Sequence, residues 1–577
     1  MELFETIVGA VGDFLAWPLV IMLLGAGLFL TFRLGFIQFR RLGHGFAVAT
    51  GRYDDPDEPG DVSHFQALTT ALSATVGVGN IAGVALAIHI GGPGALFWMW
   101  VTALLGMATK YAEVTLAQQY RDVHVDEDGK AWEGSVSGGP MYYIERGLGK
   151  KWKPVAMFFA FALMITSFMT GNAVQANTIA TQLYDSFGIA QWMTGLVTAS
   201  IVGVVIVGGI SRIGRVTSII APVMAGLYVT GALVILVINF GSVPAAFGTI
   251  FTEAFNPTSG VAGAGIGVFL LTMQFGVQRG LFSNEAGQGS APIAHSAAKT
   301  DEPVSEGVVA LLEPFIDTIV ICTMTGLVLV TTGAFSAKAP AAFTANGSNV
   351  EVLAPVLDES GALVKYDDYA GALPLTYEGG ISQNPDGAVL SRYDLPVDTL
   401  FLDEAQTVPF EGRIEASAEG LVAVAESGAV QTLYGNTARN VAPLTTLAFE
   451  RGLAPIGLSG LGAWIVLLSV VLFAVSTSIS WSYYGDRCAN YLFGPKAILP
   501  FKAIFVVMHF IGAVLAVTTI WDLGDVALSL VTIPNVIALV VLSGTLVKLT
   551  NSYFERRPWE QNEEDHKRAV AEGRLKR

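Results

Sequence analysis

Long apolar runs recur along most of the chain, separated by short stretches in which polar and basic residues gather. Runs of 18 or more apolar residues are long enough to cross about 30 Å of hydrocarbon at about 1.5 Å per residue. They predict spans at about 14–33, 66–90, 93–117, 154–184, 190–211, 216–240, 262–282, 305–335, 455–481, 498–520 and 526–549. The basic residues test that count of eleven. Arg33, Arg40, Arg41 and Arg52 follow the first span, and Arg121, Lys130, Arg146, Lys150, Lys151 and Lys153 follow the third. Arg212 and Arg215, Arg279 and Lys299, Arg487 and Lys496, and finally Arg556, Arg557 and Arg577 follow the later odd-numbered spans. Short positive loops stay inside, so the N-terminus is expected outside and the C-terminus in the cytoplasm of a plasma membrane, a bacterial inner membrane in kind. The start MELFETI lacks a basic n-region, which argues for a retained first span rather than a cleaved signal peptide.

Two spans are interrupted. The second reads FQALTTALSATVGVGNIAGVALAIHI, with Gly77, Gly79, Asn80 and Gly83 near its middle. Glycine weakens a helix interior by up to about 1 kcal/mol relative to alanine, and unpaired backbone in lipid is tolerated only around a cavity or against protein. Either the helix breaks there around a site, or Gly79 and Gly83 form a small-xxx-small packing face. The seventh span is apolar to Met273 and loosened at Gln274, Gly276 and Gly280. Second and seventh lie five spans apart, so two groups of five, each opening on a broken member, have opposite topology. That is the pattern of an inverted-repeat transporter with its site at the repeat interface.

Composition supports a bilayer-embedded chain, 52% hydrophobic and 14% charged over 577 residues. The net charge of −16 is unevenly placed, since 15 acidic and 5 basic residues fall between Ser336 and Asn440. Short alternating runs such as ALVKY and RIEASAEGLVAVAE predict a β-rich extracytoplasmic insertion there, the alternative being a solvated loop. The organisation expected is 1–62, an extra N-terminal helix and loop; 63–240, the first repeat; 262–335, the start of the second; 336–440, the insertion; 441–549, the rest of the second repeat; and 550–577, a cytoplasmic tail, helical or disordered. Cys322 and Cys488 are expected as free thiols. No HExxH, phosphate loop or nucleophile elbow is present, which excludes the usual enzyme and ATP-driven classes. Nothing suggests a nucleic-acid partner or an enzymatic cofactor, and oligomeric state is not legible.

The runs TVGVGNIAGVALAIHIGGPGALFWMW, GMATKYAEVTLAQQYR, SGGPMYYIERGLGKKW, QRGLFSNEAGQGSAPIAHSAA and STSISWSYYGDR resemble the alanine or glycine:cation symporter family over almost the whole chain except the insertion. The resemblance implies an all-α polytopic membrane protein of about 11 helices, a LeuT-type 5+5 inverted repeat with one extra N-terminal helix. It also implies sodium as coupling ion and a small neutral amino acid, alanine or glycine, as cargo.

Ser476, Thr477, Ser478 and Ser480 interrupt the ninth span beside Trp481. Hydroxyl oxygens suit a small hard cation, and a neutral cluster is dehydrated more cheaply than a carboxylate; alternatively each hydroxyl bonds back to its own helix. The resemblance implies that Ser476 with Thr477, or Thr477 with Ser478, face carbonyls near Thr75 and Val78. Asn172 and Gln175, three apart, share a helical face and either meet a zwitterion's carboxylate or serve packing, whereas Asn177 reads as interhelical glue. Phe275 and Trp481, with Gly276 between the seventh-span polar residues, are candidates to close a small apolar pocket, or are ordinary packing. Lys110 with Glu113 and Glu313 with Asp317 are expected as solvated or gate pairs near the cytoplasmic face rather than a proton relay, and Glu285 as a cap on the inner path. Rival functions are proton-coupled transport, and a channel or sensor using the same broken helices.

Overall fold

In the computed structural model every residue is described except Met1, 56, 126–130, 258–265, 348–349, 358–362, 370, 393–394, 398, 418–419, 439–440, 516, 573 and 575–577. Most of the described chain is helical. Among the described residues five helices are long and apolar enough to cross a membrane: Lys150–Tyr184, Gly209–Ile238, Pro303–Thr331, Ser459–Phe493 and Pro495–Val514. Two bent pairs pass the same test as single broken spans. His64–Thr75 meets Gly79–Gly91 at 49°, and Val526–Val541 meets Ser543–Arg556 at 60°. Among the described residues five to seven spans therefore pass, against the eleven expected. The shortfall has local causes. Trp17–Arg33 and Gln191–Ile206 are apolar but short, and Ala95–Tyr120 carries Lys110 and Glu113 in its interior. The last expected span, 526–549, runs through the bend at Leu542.

Among the described residues three stretches are wound as π-helix: Gly79–Gly83, Met169–Ala173 and Phe315–Cys322. Each inserts an extra residue into a turn, which re-aims the side chains beyond it and loosens the backbone ladder at that level. Gly79–Gly83 is wholly buried, and the other two bury Thr170–Ala173 and Asp317, Thr318, Ile321 and Cys322.

The stretch from Lys338 to Ala438 is β-structured, as its alternation predicted. Leu400–Phe401, Leu433–Ala438 and Lys338–Phe343 form one sheet in that order. Gly428–Val430, Gly420–Ala425, Gly412–Ser417, Leu375–Glu378 and Ile381–Ser382 form a second, and Leu363–Asp368, Val350–Leu357, Val389–Arg392 and Leu395–Pro396 a third. Leu375, Tyr377, Leu390, Leu400, Phe410, Ile414 and Leu433 give it a core separate from that of the helices. A cavity of 720 Å³ separates it from the end of helix 459–493, with Arg392 and Glu404 on one side and Gln182 and Trp464 on the other. The chain returns from this domain into helix Val441–Leu453, where Thr445 Oγ1 donates to Ile81 O at 3.0 Å.

The tail is helical over Trp559–Ala571 and docks on the loop after the first helix. Arg52 meets Glu563 at 3.2 Å, Asn562 Nδ2 donates to Glu58 Oε1 at 3.2 Å and Arg574 meets Asp57 at 2.7 Å. Trp559 sits against His44 and Tyr553, with ring centroids 4.7 and 5.0 Å away.

Candidate substrate and ion site

Helix 64–75 opens on a capping box, with Ser63 Oγ accepting the Gln66 amide at 3.2 Å and Gln66 Oε1 the Ser63 amide at 3.1 Å. It ends at Val76, and between Val76 and Val78 the ladder lapses, leaving backbone groups that hydrocarbon cannot satisfy. Asn80 bridges the lapse. Its Oδ1 accepts the Gly77 amide at 2.9 Å, and its Nδ2 donates to Asp317 O at 3.2 Å and Asp317 Oδ1 at 2.5 Å. Asp317 Oδ2 in turn accepts Ser283 Oγ at 2.8 Å and Thr318 Oγ1 at 2.6 Å, and Thr325 Oγ1 donates to Asn80 O at 2.7 Å.

Asp317 is thus a fully buried carboxylate pinning the break, not half of a solvated pair with Glu313. Glu313 instead accepts Lys110 Nζ at 3.1 Å. Lys110 and Glu113 also part company, since Glu113 Oε1 accepts the Gly289 amide at 3.0 Å and Asn535 Nδ2 at 2.5 Å. All four are buried because the elements carrying them fold against one another below the break.

The hydroxyl cluster of helix 459–493 faces the same break. Thr477 Oγ1 donates to Ser73 O at 3.0 Å, and Ser476 Oγ lies 3.5 Å from Ser73 O, 2.9 Å from Phe473 O and 3.2 Å from Met224 Sδ. The carbonyl that meets them belongs to Ser73. Thr75 turns its own hydroxyl back to Ala71 O and Leu72 O, both at 3.3 Å, and Val78 is buried just beyond. The hydroxyls of Ser73, Ser478 and Ser480 are buried with no hydrogen-bond partner. A Cβ on Gly77 would stand 2.6 Å from Thr477 Oγ1 and 3.5 Å from Gln175 Oε1, so only glycine lets the break approach both helices. Gly79 lies against Phe282, while a Cβ on Gly83 would meet nothing within 4 Å, so the pair does not form one close-packed face.

Gln175 Nε2 donates to Thr170 O at 3.1 Å and leaves Oε1 buried without a partner. Asn172 does not share that face. It donates to Phe505 O at 2.8 Å and accepts His509 Nδ1 at 2.7 Å, on the far side of its helix. The π stretch 169–173 is the reason, because the added residue breaks the simple three-apart geometry. Asn177 fastens the same neighbour through Gly512 O at 3.1 Å and Leu515 O at 2.8 Å.

Trp481 lies against Gly171 and donates Nε1 to Glu285 Oε1 at 2.9 Å. Phe275 and Gly276, however, belong to an unbroken helix, Ile266–Asn284. A Cβ on Gly276 would stand 2.6 Å from Trp98 Cβ, so this glycine serves close contact with helix 95–120. The second interruption comes later, at 285–290, where Glu285, Gly287 and Gly289 take φ of 55°, 91° and 77°. The break expected between Gln274 and Gly280 is therefore displaced towards SNEAGQG. Ser73, Ser283, Thr325 and the depth of Asp317 escaped sequence reasoning. The dense polar run after Leu281 was the available signal for the second break.

The family model described as the sodium:alanine symporter family matches residues 1–356 and 413–568. The chain belongs to that family. Family membership makes it a membrane transporter, a cation-coupled amino-acid symporter and not an enzyme. It is 38% identical to the sodium/alanine symporter AgcS of Methanococcus maripaludis, over 96% of this chain and 98% of that protein. It is 37% identical to the probable sodium/glutamine symporter GlnT of Bacillus subtilis, over 58% of this chain and 67% of the relative. A crystal structure of MhsT with L-phenylalanine aligns at a TM-score of 0.47 and 13% identity, over 84% of this chain and 89% of the other. The gap in the family match, 357–412, falls within the β domain.

Proposed function

We propose that this symporter imports a small neutral amino acid, alanine or glycine, together with sodium by alternating access. The observation that carries the reading is the neutral oxygen junction at the break. Ser73 O, Ser476 Oγ and Thr477 Oγ1 converge there, with the unpartnered Ser478 hydroxyl on the same helix and Gln175 Oε1 close to Gly77. Carbonyl and hydroxyl oxygens are the donor set for a small hard cation, and being neutral they neither trap it nor cost much to dry. Sodium is thus assigned to Ser476, Thr477 and Ser478 with the carbonyls of the 73–78 stretch, including Thr75 and Val78. The segment Gly79–Gly91 begins at the break, where the positive end of its dipole favours a carboxylate. The cargo is assigned to the space among Gly77, Gly79, Asn80, Gln175 and Trp481, with Asn172, Asn177, Phe275 and Gly276 holding the surrounding helices. Relatives named for alanine and for glutamine support the cargo class.

The finer topology belongs to the same proposal: five plus five inverted helices after an extra first one, N-terminus outside, C-terminus in the cytoplasm. The test is sodium-gradient-driven uptake of a panel of small amino acids into proteoliposomes. Accumulation of alanine or glycine that collapses without sodium is expected. A leak conductance without accumulation would replace the symporter by a channel. The buried Asp317 beside the break favours proton coupling as the second reading, and uptake driven by a pH gradient in sodium-free medium would select it.

A further inference from the structure

Below the break, five buried ionisable side chains form one continuous chain across four segments. His64 Nδ1, at the start of helix 64–75, contacts Glu306 Oε2 of helix Pro303–Thr331, which also carries Glu313. Glu306 Oε1 lies 2.5 Å from His295 Nδ1, His295 Nε2 lies 2.7 Å from Glu313 Oε1, and Glu313 Oε2 lies 3.1 Å from Lys110 Nζ. His64 is 2% exposed and the other four are fully buried.

Proton counting decides what this chain contains. Each nitrogen-to-oxygen contact needs one hydrogen between the two atoms. His295 places both ring nitrogens against carboxylate oxygens, yet a neutral imidazole carries one N–H. The second hydrogen must come from an imidazolium or from a carboxylic acid. Either way the chain holds one proton more than neutral imidazoles and ionised carboxylates would supply. Charge counting reaches the same number, because two carboxylates against one lysine leave one negative charge that a dry interior strongly disfavours. The surroundings do not remove the need. Asp54, from the loop before helix 64–75, and Arg121, at the end of helix 95–120, bear on the His64–Glu306 end. Glu113 and Glu285 bear on Lys110.

We propose that this chain is a proton-binding site that closes the inner side of the transporter. One proton is held while helix 64–75 is docked, and it is surrendered to the cytoplasm when that half-helix swings at the 76–78 break and water reaches Glu306. The bond broken is the N–H or O–H between His295 and its carboxylates. The proton passes to water, and redocking takes one back. Cytoplasmic acid therefore holds the gate shut. The proposal rests on the symport reading above.

The test is sodium-driven alanine uptake into proteoliposomes at fixed outer pH, with the inner pH set between about 6 and 8, the range in which imidazole titrates. Wild-type uptake should slow on internal acidification, by at most about tenfold per pH unit for one proton. His295→Gln should transport with that dependence flattened to less than about twofold over the range. Wild-type uptake indifferent to inner pH, or an unchanged slope in His295→Gln, overturns the proton site and leaves symport standing. No uptake at any inner pH removes both. Should His295→Gln not fold, His64→Gln, at the docking end of the same chain, is read in the same uptake assay. A dependence on inner pH flattened as for His295→Gln supports the site, and an unchanged slope overturns it.

Discussion

The break in the first half-helix pair is fastened from two sides by opposite chemistry. On one side, Thr477 and Ser476 point neutral hydroxyl donors at Ser73 O, which accepts. On the other, His64, Glu306, His295, Glu313 and Lys110 tie the base of helix 64–75 with ions. The difference teaches which contacts are exchangeable. A neutral hydroxyl contributes about 1 kcal/mol and can trade a carbonyl for a cation with little loss. A buried ion that loses its partner costs about 3–5 kcal/mol, so such ties hold one state firmly or are given up together with a proton.

The comparison breaks most readily at Glu313. Glu313→Ala takes the hydrogen-bonded carboxylate from buried Lys110 and one from His295, and should destabilise the detergent-purified protein by about 3–5 kcal/mol, read as a fall in thermal midpoint. Ser476→Ala should cost about 1 kcal/mol or less by the same assay. Equal losses would erase the contrast. Gly77→Ala comes next, because the new methyl meets Thr477 Oγ1 and must push the helices apart. A loss of about 1–3 kcal/mol is expected, visible as weaker alanine uptake as well as lower stability. Thr477→Ala should raise the half-saturating sodium concentration by about tenfold with the fold intact, and an unchanged sodium dependence would remove it from the ion site.

The smallest effect is expected where the C-terminal tail meets the loop after the first helix. Burial, and then its contact with Asp301, pushes the Glu58 carboxyl up to about 9. The folded loop therefore keeps a proton that the free loop would release near the ordinary carboxylate value. The packing of this loop against Asp301 is therefore most stable below that ordinary value, and the contribution is lost progressively as pH climbs towards 9. Glu58→Gln should flatten this dependence, followed by Trp559 fluorescence.

Sequence legibility follows the same physics. The first break could be read because Gly77, Gly79 and Asn80 concentrate in one turn of an apolar run. Gly276 and Gly280 looked alike but serve close contact with helix 95–120, and periodicity cannot separate a glycine that loosens a helix from one that lets it approach another. Asn172 and Gln175 were placed on one face by ordinary helical arithmetic, which the π stretch between Met169 and Ala173 invalidates. Asp317 was visible as a charge, but its depth depends on a second π stretch, Phe315–Cys322, that no composition rule announces. The β domain was legible because strand alternation and turn residues are local signals.

That domain leaves and rejoins the helical body at neighbouring points, since Lys338 pairs with Ala438 at the two ends of the excursion. Paired strands lie about 5 Å apart, a gap that a two-residue turn closes. The domain is therefore an exchangeable cassette. Excising it in favour of a short hairpin, or grafting a reporter or antibody epitope in its place, would alter what the transporter shows on that surface without lengthening any path through the membrane.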